Sequence, residues 1–315
     1  MSVLGLDTSN YTTSVALFDG REGKNVSRLL PVEPGALGLR QSQALFHHVK
    51  ALPQLMEELT GEGDLSGLRA VGASTRPRAV EGSYMPCFLA GASQGRTLAR
   101  ALGVPFFAHS HQQGHLAAAA WSAGRLELLD GPFLAWHLSG GTTELLLVRP
   151  RGLELEAQIL GGSSDISAGQ LIDRTGVLLG LPFPAGKALD QIYDQGEPCE
   201  AFPVKLNDLT FSLSGMENQV KGKAAAGESG GTIARFALDT IIHVVLRATR
   251  RAQERYPGLP VLCSGGVASN RQLRAALSAS CQALFAQPQY AADNAMGTAI
   301  LTWRSLERGG EVHGA

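Results

Sequence analysis

Two histidines four residues apart are the strongest chemical signal in the sequence. His111 and His115 lie in the segment HSHQQGH, which the pattern predicts to be helical. This spacing places both imidazoles on one face of a helix, close enough to bind one metal ion, although polar surface histidines are the alternative interpretation. A third ligand is expected from elsewhere, and Asp293 in YAADNAMG is the candidate. An aspartate at that position could also cap the last helix.

The residue after the first histidine argues against peptide hydrolysis. Zinc proteases with two histidines at this spacing have a glutamate there as the general base. This chain has Gln112, whose neutral amide cannot take a proton from water. We therefore expect a bound metal ion to position and polarise a substrate, and a metalloprotease is the least favoured function.

Two glycine-rich turns are predicted to bind an anion or a nucleotide. One turn is the tip of a predicted hairpin, and the other joins the strand 259–263 to a helix that begins near residue 269. Successive small residues leave backbone N–H groups free to point at phosphate oxygens. The candidate residues in these turns are Ser139, Gly140, Gly141, Thr142, Gly265 and Gly266.

Four further residues could complete a nucleotide site. Asp173 and Asp190 could accept ribose hydroxyls, Gly186 would permit close approach, and Asn270 could bind adenine. Surface acids, a turn glycine and a helix cap are the alternative interpretations of these residues.

The end of the first predicted strand carries the candidate catalytic residues, Asp7 and Ser9. A carboxylate at a strand end among apolar neighbours could hold a cation or a water molecule beside phosphates.

An internal repeat indicates a duplicated α/β architecture. Residues 3–18 (VLGLDTSNYTTSVALF) and 133–148 (FLAWHLSGGTTELLLV) match at a constant offset of 130 positions (133 − 3). Each copy predicts a β-hairpin with a hydroxyl-rich tip. We predict a first lobe over 1–128, with a helix at 293–311 packing back onto it, and a second lobe over 129–292. The pattern also predicts a helix at 41–59 that is interrupted near Pro53, and a mobile surface loop over 222–231.

Composition excludes general disorder and gives no reason to expect a membrane protein. The chain has 315 residues, of which 44% are hydrophobic and 17% charged, and its 27 basic and 28 acidic side chains give a net charge of −1. Bulk charge therefore provides no argument for nucleic acid or membrane binding. The N-terminal sequence lacks a basic signal region, so we expect a cytoplasmic protein.

One predicted helix carries a row of arginines at a spacing of four residues: Arg247, Arg251 and Arg255. We favour a solvent-exposed helix face for them over contacts with phosphates.

Taken together, the motifs resemble those of the tRNA threonylcarbamoyladenosine transferase family, formerly described as O-sialoglycoprotein endopeptidases. The matching segments occur in the family's order over nearly the whole chain: LGLDTSNYTTSVAL, HSHQQGHL, LSGGT, AGQLIDRTG, LPFPAGKAL, FSLSGMEN, CSGGVASNRQLR and ADNAMG. A related module occurs within some carbamoyltransferases. The resemblance implies an α/β, actin-like ATPase fold of two duplicated lobes with a nucleotide cleft between them.

The resemblance also implies a ligand set and an activity. It places a divalent metal ion, iron or zinc, on His111, His115 and Asp293. It places the phosphate part of ATP, ADP or threonylcarbamoyl-adenylate at residues 139–141, and the ribose and adenine at Asp173, Gly186, Asp190 and Asn270. The implied reaction transfers the threonylcarbamoyl group to an adenosine beside the tRNA anticodon. The implied partners are tRNA and a shorter paralogous subunit that pairs through the N-terminal lobe, or a second copy of the chain.

The sequence departs from the family pattern near the presumed catalytic acids, as a divergent paralogue would. The family has Cys-Asp-Glu where this chain has Asn10, Tyr11 and Thr12. It also has Asp, Glu and Gly where this chain has Ile166, Gln170 and Ala185. Two alternatives therefore stay open: a carbamoyltransferase that acts on an amine outside tRNA, and a nucleotide-binding scaffold without catalytic activity.

Overall fold

The computed structural model describes residues 1–9, 11–31, 39–61 and 65–309, and contacts divide the chain into two units. The first unit contains residues 1–121, 150–156 and the segment from Asp293, and the second contains residues 122–149 and 157–292. Elements up to residue 122 are β1 (Ser2–Thr8), β2 (Thr12–Phe18), β3 (Gly23–Leu29), α1 (Gln41–Thr60), β4 (Leu68–Arg76), α2 (Leu89–Leu102), β5 (Phe106–Ser110) and α3 (His111–Ser122). Then follow β6 (Phe133–Leu138), β7 (Thr143–Arg151), β8 (Glu154–Ser163), α4 (Ala168–Leu178), α5 (Gly186–Ile192), β9 (Leu206–Asn207), β10 (Thr210–Phe211), α6 (Ser214–Ala225), α7 (Gly230–Arg255), β11 (Val261–Ser264), α8 (Arg271–Cys281), β12 (Leu284–Phe285), α9 (Pro288–Ala291) and α10 (Met296–Glu307).

The two sheets share a strand order, as a duplication requires. The first sheet has the order β3-β2-β1-β4-β5, and the second contains the equivalent run β8-β7-β6-β11-β12, extended by β10 and β9. The predicted hairpins have the same register, because Val3 pairs with Phe18 and Phe133 pairs with Val148, both at an offset of 130 (133 − 3 and 148 − 18). In each sheet the first strand of the hairpin pairs in parallel with a later strand, β4 or β11. The repeat read in the sequence is therefore structural.

Two local predictions were wrong. Helix α1 runs through Pro53 without interruption, because the side chain is exposed and the helix loses a backbone hydrogen bond only where water can replace it. Residues 222–231 do not form one loop: α6 continues to Ala225, and α7 begins at Gly230 after its cap, Ser229. Small residues there favour helix ends as well as loops, and the side chain of Ser229 accepts a hydrogen bond from Thr232 N.

The first sheet separates an apolar layer from a layer that carries polar residues. Leu4 and Leu6 of β1 join a hydrophobic cluster with residues of α1 and α2. Because side chains alternate along a strand, Gly5 and Asp7 point to the other face, where α10 lies. A β-carbon on Gly5 would come within 2.5 Å of Ala299 N. The glycine therefore allows α10 to pack directly on the strand.

A second close contact, between two glycines, packs α10 directly on α3. A β-carbon on Gly297 would overlap the carbonyl group of Gly114. Gly114 lies on α3 between His111 and His115, and Asp293 precedes α10 by less than one turn. The contact between the two glycines therefore brings the candidate third ligand to the face of α3 that carries both histidines.

The second unit is built around α7. Trp136 of β6 is fully buried and donates from Nε1 to Thr249 Oγ1 at 2.9 Å. Two arginines of α7 contact other residues of the same unit: Arg247 donates a hydrogen bond to Val204 O at 2.9 Å, and Arg255 forms an ion pair with Asp208 at 2.7 Å. These contacts favour a structural role for the arginines of α7 over phosphate binding.

Throughout the part of the chain that the structure describes, no helix has both the length and the hydrophobicity needed to cross a bilayer.

Substituting Gly297→Ala should separate α10 from α3. The added methyl group overlaps backbone, which cannot rotate away, so we expect the free energy of unfolding to fall by about 1–3 kcal/mol. Chemical denaturation followed by circular dichroism measures this loss. The matched control is Gly222→Ala in α6, where no atom lies within 4 Å of the new methyl group and a gain of about 0.5–1 kcal/mol is expected. Equal stabilities of both variants would contradict the packing argument.

Candidate functional site

A capping box places the two histidines at the start of α3. Ser110 N donates to Gln113 Oε1 at 2.9 Å, and Gln113 N donates to Ser110 Oγ at 3.2 Å. This reciprocal pair fixes the first turn of the helix, so that His111 occupies its first position. The Ser-x-x-Gln pattern is readable in the sequence, and it would have defined where the helix begins.

The predicted metal ligands come together in the first unit. One nitrogen of His111, one nitrogen of His115 and one oxygen of Asp293 all lie within 4.8 Å of one another, and we call these three residues the His–Asp cluster. The two Nε2 atoms are 2.9 Å apart, and Asp293 Oδ1 lies 3.2 Å from His115 Nε2 and 3.5 Å from His111 Nε2. Asp293 does not cap α10, because Ala295 occupies the cap position. The capping interpretation of Asp293 was therefore wrong.

The candidate catalytic residues lie beside this cluster. Asp7 is 1% exposed, and its Oδ2 accepts a hydrogen bond from His111 Nδ1 at 2.8 Å. Its Oδ1 accepts from Ser9 N at 3.0 Å. Ser9 Oγ is buried and has no hydrogen-bond partner among the described residues, and its neighbour Asn10 lies outside them. The catalytic roles of Asp7 and Ser9 stay predictions.

Charges within the cluster stabilise one another. Burial alone would lower the pKa of His111, but the charge of Asp7 and the hydrogen bonds that His111 donates to Asp293 and Asp7 raise that pKa to about 10. Burial would raise the pKa of Asp293, but hydrogen bonds to His111 and His115 hold it well below its usual range. The pKa of Asp7 is also lowered: burial opposes ionisation, but the charge of His111 and its hydrogen bond together outweigh burial. Both carboxylates are therefore ionised at neutral pH.

This donor set fits a divalent transition metal. Two imidazole nitrogens and a carboxylate oxygen are ligands of zinc and of ferrous iron. Metal-bound histidines usually donate the N–H of their second ring nitrogen to a carboxylate, a backbone carbonyl or water, as His111 Nδ1–H does to Asp7. The Asp293 side chain is 33% exposed, so the cluster is open to solvent on one side.

The second unit contains a cavity of about 390 Å³ at the carboxyl ends of β6 and β11. Its walls include most of the predicted nucleotide residues: Gly140, Asp173, Gly186, Asp190, Gly266 and Asn270. Ser139, Gly141 and Thr142 form the turn around Gly140 but do not line the cavity, and Ser139 N donates to Thr142 O at 2.8 Å. Gly265 does not line it either, because its α-carbon packs against the backbone of Leu138.

Small residues keep this cavity open. No protein atom lies within 4 Å of the position that a β-carbon would take on Gly140 or Gly266. By contrast, a β-carbon on Gly169 would lie 2.5 Å from Gly140 Cα, so this glycine lets the start of α4 approach the turn. Gly169 and Lys187 line the cavity and were not predicted. Each adjoins a motif residue in the sequence, but only the fold shows which way it faces.

Some of the polar groups that line the cavity already form hydrogen bonds with other groups of the protein. Asp173 Oδ1 accepts from Ala185 N at 2.8 Å, and across the described residues nothing hydrogen-bonds to Asp173 Oδ2. Asp190 Oδ1 accepts from Asn270 Nδ2 at 3.0 Å. Asn270 Oδ1 caps α8 by accepting from Leu273 N at 2.9 Å. Asn270 therefore caps a helix and lines the cavity at once.

Two departures from the resembled family have structural explanations. Gln170 Oε1 accepts from Ser167 N at 3.1 Å and completes a capping box at the start of α4. Ala185 is 1% exposed, and its methyl group packs on Gly176 of α4, where a β-carbon would lie only 2.1 Å from it, so Gly176 makes room for the alanine. Both residues therefore serve α4, which carries Asp173.

An unpredicted carboxylate holds the loop that leads into α4. Asp165 Oδ1 accepts from Ile166 N at 2.7 Å and from Leu213 N at 2.9 Å, and Oδ2 accepts from Ser214 N at 3.2 Å. Burial opposes ionisation, but hydrogen bonds from Ser212 and Ser214 lower the pKa of Asp165 far below its usual value. The carboxylate thus ties the segment FSLSG to the loop before α4.

Comparisons with known sequences agree with one another. A family model for tRNA N6-adenosine threonylcarbamoyltransferase matches residues 38–300. A tRNA N6-adenosine threonylcarbamoyltransferase from one strain of Thermus thermophilus is 33% identical over 323 residues, which cover 98% of this chain and 94% of that protein. The protein with the same description from a second strain of that organism is 33% identical over 321 residues, covering 98% of this chain and 93% of that protein.

Comparisons with solved structures identify the fold. Component A of (R)-2-hydroxyglutaryl-CoA dehydratase from Acidaminococcus fermentans has a TM-score of 0.55 at 13% identity, covering 98% of this chain and 99% of that chain. Full-length HypF, with bound phosphate and nucleotide, has a TM-score of 0.60 at 12% identity, covering 97% of this chain and 56% of that chain. Identities this low establish only the fold, and they confirm the predicted α/β, actin-like ATPase architecture.

Removing both histidines should abolish metal binding. We expect about one zinc or iron ion per purified chain, and a loss of that ion in the double variant His111→Ala/His115→Ala, because a lone carboxylate holds such ions weakly. Elemental analysis measures the metal content. The control is His243→Ala, which removes an exposed histidine of α7 and should keep the ion. Equal metal content in all three proteins would remove the His–Asp cluster from consideration.

The Asp165 contacts should make stability depend on pH. Because the folded pKa of Asp165 is lowered, its contribution is complete above the unfolded pKa of about 3.9 and is lost as the pH falls towards the folded value. Asp165→Asn should therefore lower the denaturation midpoint most above about pH 5, and the difference from the parent protein should narrow below about pH 4. Urea denaturation at several pH values measures this trend. A difference that does not change with pH would contradict it.

Proposed function

Because this chain belongs to the tRNA N6-adenosine threonylcarbamoyltransferase family, we propose that it transfers a threonylcarbamoyl group from threonylcarbamoyl-adenylate to the amine of a tRNA adenosine beside the anticodon. One observation carries the proposal. Five of the seven residues that the family resemblance assigns to the adenylate line a single cavity, although they are scattered along the sequence: Gly140, Asp173, Gly186, Asp190 and Asn270. The chain also retains the histidines and aspartate that the family uses for its metal ion.

The cavity suits the adenosine part of the donor. Its volume of about 390 Å³ lies within the range of small-molecule sites. The Oδ2 atom of Asp173 is available to accept a ribose hydroxyl. Gly140 and Gly266 present backbone without side chains to a phosphate, and α4 begins beside the turn at Gly140. Helix N-termini favour anions, which supports placing the phosphate at this end of the cavity.

The His–Asp cluster is proposed to hold one iron or zinc ion. When bound, such an ion supplies a Lewis acid that can polarise a carbonyl or phosphate oxygen. Asp7 keeps His111 oriented by accepting its Nδ1–H, and the segment just before α10 supplies Asp293. In this scheme these residues would hold the ion and orient its ligands, and none of them transfers a proton.

Group transfer itself requires little of the protein. The acceptor nitrogen attacks the carbamoyl carbon and forms a C–N bond, and the bond from that carbon to the phosphate oxygen breaks. AMP leaves with the electron pair of that bond, and the acceptor nitrogen releases its proton to solvent. Within the turn at 139–142, Ser139 N donates to Thr142 O and Thr142 N donates to Ser139 Oγ. The N–H of Gly140, which lines the cavity, is therefore the group of this turn proposed to stabilise negative charge as the bond to phosphate breaks. Tyr11 and Thr12 supply no carboxylate, so the acceptor must be positioned rather than deprotonated by this hairpin.

Binding of tRNA is proposed to involve a second subunit. The net charge of −1 provides no bulk attraction for a polyanion. We therefore expect a shorter paralogous subunit, or a second copy of the chain, to pair through the first unit and to share the contacts with tRNA.

The proposed activity can be tested with defined substrates. The protein, threonylcarbamoyl-adenylate, unmodified tRNA and candidate partner subunits should yield threonylcarbamoyladenosine, measured by mass spectrometry after nuclease digestion. Asp173→Asn should raise the KM for the adenylate about 10- to 100-fold, because it weakens a charge-assisted hydrogen bond to ribose. The control is Asp208→Asn, which alters an exposed ion pair with Arg255 and should leave KM unchanged.

Two outcomes would count against the proposal. No modified nucleoside, alongside an active control enzyme, would rule out the tRNA reaction. Product formed from carbamoyl phosphate, ATP and a small amine, with none formed on tRNA, would instead identify a carbamoyltransferase with another acceptor.

A further inference from the structure

A second concave surface of the second unit adjoins the cavity proposed to hold the adenylate. It has a volume of about 610 Å³, and Gly140 and Asp173 belong to both the cavity and this surface. The adenylate assignments use only these two shared residues. We call the surface the Phe183 groove, and its other walls include Gln170, Arg174, Val177, Leu178, Phe183 and Lys221.

Large apolar side chains of the groove face solvent. Phe183, in the segment between α4 and α5, is 76% exposed, and Val177 of α4 is 68% exposed. Among the described residues after Met1, no large hydrophobic residue is more exposed than Phe183. Its ring therefore contributes little to the core of the second unit. Exposed apolar side chains gathered in one groove indicate a surface that a ligand covers.

The polar groups of the groove are mainly hydrogen-bond donors. Both carboxylate oxygens of Glu217 are occupied, because Oε1 accepts from Lys221 Nζ at 2.7 Å and Oε2 accepts from Arg174 Nη1. The ammonium and the guanidinium have further N–H groups that these two bonds do not use. Gln170 Oε1 accepts from Ser167 N at 3.1 Å, and Gln170 Nε2 has no partner among the described residues. The groove therefore suits a ligand that is rich in hydrogen-bond acceptors.

The position of the groove relates it to the acceptor of the proposed reaction. The proposed function places the phosphate of the adenylate beside Gly140, and the acceptor amine must reach the carbamoyl carbon that this phosphate carries. Nucleotides on either side of the acceptor adenosine are covalently joined to it, so they must bind close to the same turn. The groove includes Gly140 and is a surface of the second unit within that reach.

We propose that the Phe183 groove binds an unpaired nucleotide next to the acceptor adenosine of the RNA. The base packs on the ring of Phe183 and on Val177, and the phosphate accepts hydrogen bonds from Lys221 and Arg174. Proteins recognise single-stranded RNA in this way, with bases stacked on aromatic side chains and phosphates bound by cations. The inference rests on the proposed function, which supplies both the RNA acceptor and the position of the adenylate.

The distribution of hydrogen-bonding groups favours RNA over a protein segment as the occupant. The backbone of a protein segment carries as many N–H groups as carbonyl groups, apart from proline. Both oxygens of Glu217 are used within the groove, and the open oxygen of Asp173 is assigned to the ribose of the adenylate. A bound protein segment would therefore find few acceptors for its N–H groups. Phosphate oxygens and base edges match the donors that the groove offers.

The test measures RNA affinity by fluorescence anisotropy of a labelled anticodon stem-loop, with the protein alone and with candidate partner subunits. Phe183→Ala removes the aromatic surface, and Phe183→Tyr keeps it. The matched control is Phe46→Ala, which removes an exposed phenylalanine of α1. Lys221→Gln removes one cation, and its control is Lys205→Gln, an exposed lysine of the second unit that does not line the groove. A fully paired RNA hairpin of the same length reports binding that does not need unpaired nucleotides.

We expect Phe183→Ala to weaken binding of the stem-loop about 5- to 100-fold, the range for loss of one stacked base, and Phe183→Tyr to restore it. Lys221→Gln should lower the slope of log affinity against log salt concentration by about 0.7, the effect of one phosphate contact with a single strand. Phe46→Ala and Lys205→Gln should bind the stem-loop as the parent protein does. Affinity for the paired hairpin should not respond to Phe183→Ala. AMP affinity, measured by calorimetry, should be unchanged in every variant.

Several results would overturn the proposal. Parental RNA affinity in Phe183→Ala is one, and lost association with a partner subunit in that variant would then identify a protein-docking surface. Lost AMP affinity in Phe183→Ala would assign the groove to the adenylate instead. Equal weakening by Phe183→Ala and Phe46→Ala, or no RNA binding by the parent protein with any partner subunit, would also contradict it. Because no measurement uses group transfer, RNA binding that depends on Phe183 beside a failed transfer assay would refute the proposed function alone.

Discussion

The close packing of α10 on the first sheet and on α3 is the constraint on which the His–Asp cluster depends. Asp293 and His111 are separated by 182 positions (293 − 111), and nothing local in the sequence brings them together. Several glycines remove the side chains that would keep α10 away, among them Gly5 on β1, Gly72 on β4, Gly114 on α3 and Gly297 on α10 itself. Backbone contact between elements is rigid, because it leaves no rotamer to adjust. The ligand distances are therefore determined by the packing of main chains.

The duplicated architecture serves two different chemistries at equivalent edges. In the first sheet, the carboxyl ends of the parallel strands carry side chains that bind one another, as Asp7 does with His111. In the second sheet, the corresponding ends carry glycine turns, where Gly140 and Gly266 expose backbone to a cavity. Position 137, which the repeat aligns with Asp7, is His137. One strand order thus supports a cluster of charged side chains in one unit and a backbone surface suited to anions in the other.

Sequence reasoning succeeded where a signal is local. The spacing of His111 and His115, the hairpin repeat and the glycine turns depend on residues close together in the chain, and the structure contains all three features. Sequence reasoning failed where contacts between residues far apart in the chain determine the local structure. Pro53 reads as a helix breaker, yet tertiary packing retains α1 on both sides of it. From the sequence, Asp293 is a candidate ligand that could also cap a helix, and only the structure shows that it lies beside the histidines without capping α10. The hydrogen bond between Ser74 and Thr298 has no sequence signal, because it joins residues from two unrelated segments.

The contacts of Asp7 constrain how any reaction at this site could proceed. A general base needs a free lone pair and a pKa near the working pH. Asp7 is buried and accepts hydrogen bonds from His111 Nδ1 and Ser9 N, and its pKa lies below the usual value. The equivalent positions of two family carboxylates hold Tyr11 and Thr12, of which Thr12 is buried. The first unit therefore has no carboxylate at the hairpin suited to deprotonate an acceptor. Reactivity must reside in the donor, since a carbamoyl group joined to phosphate carries its own leaving group, and the contribution of the protein is to bind and orient.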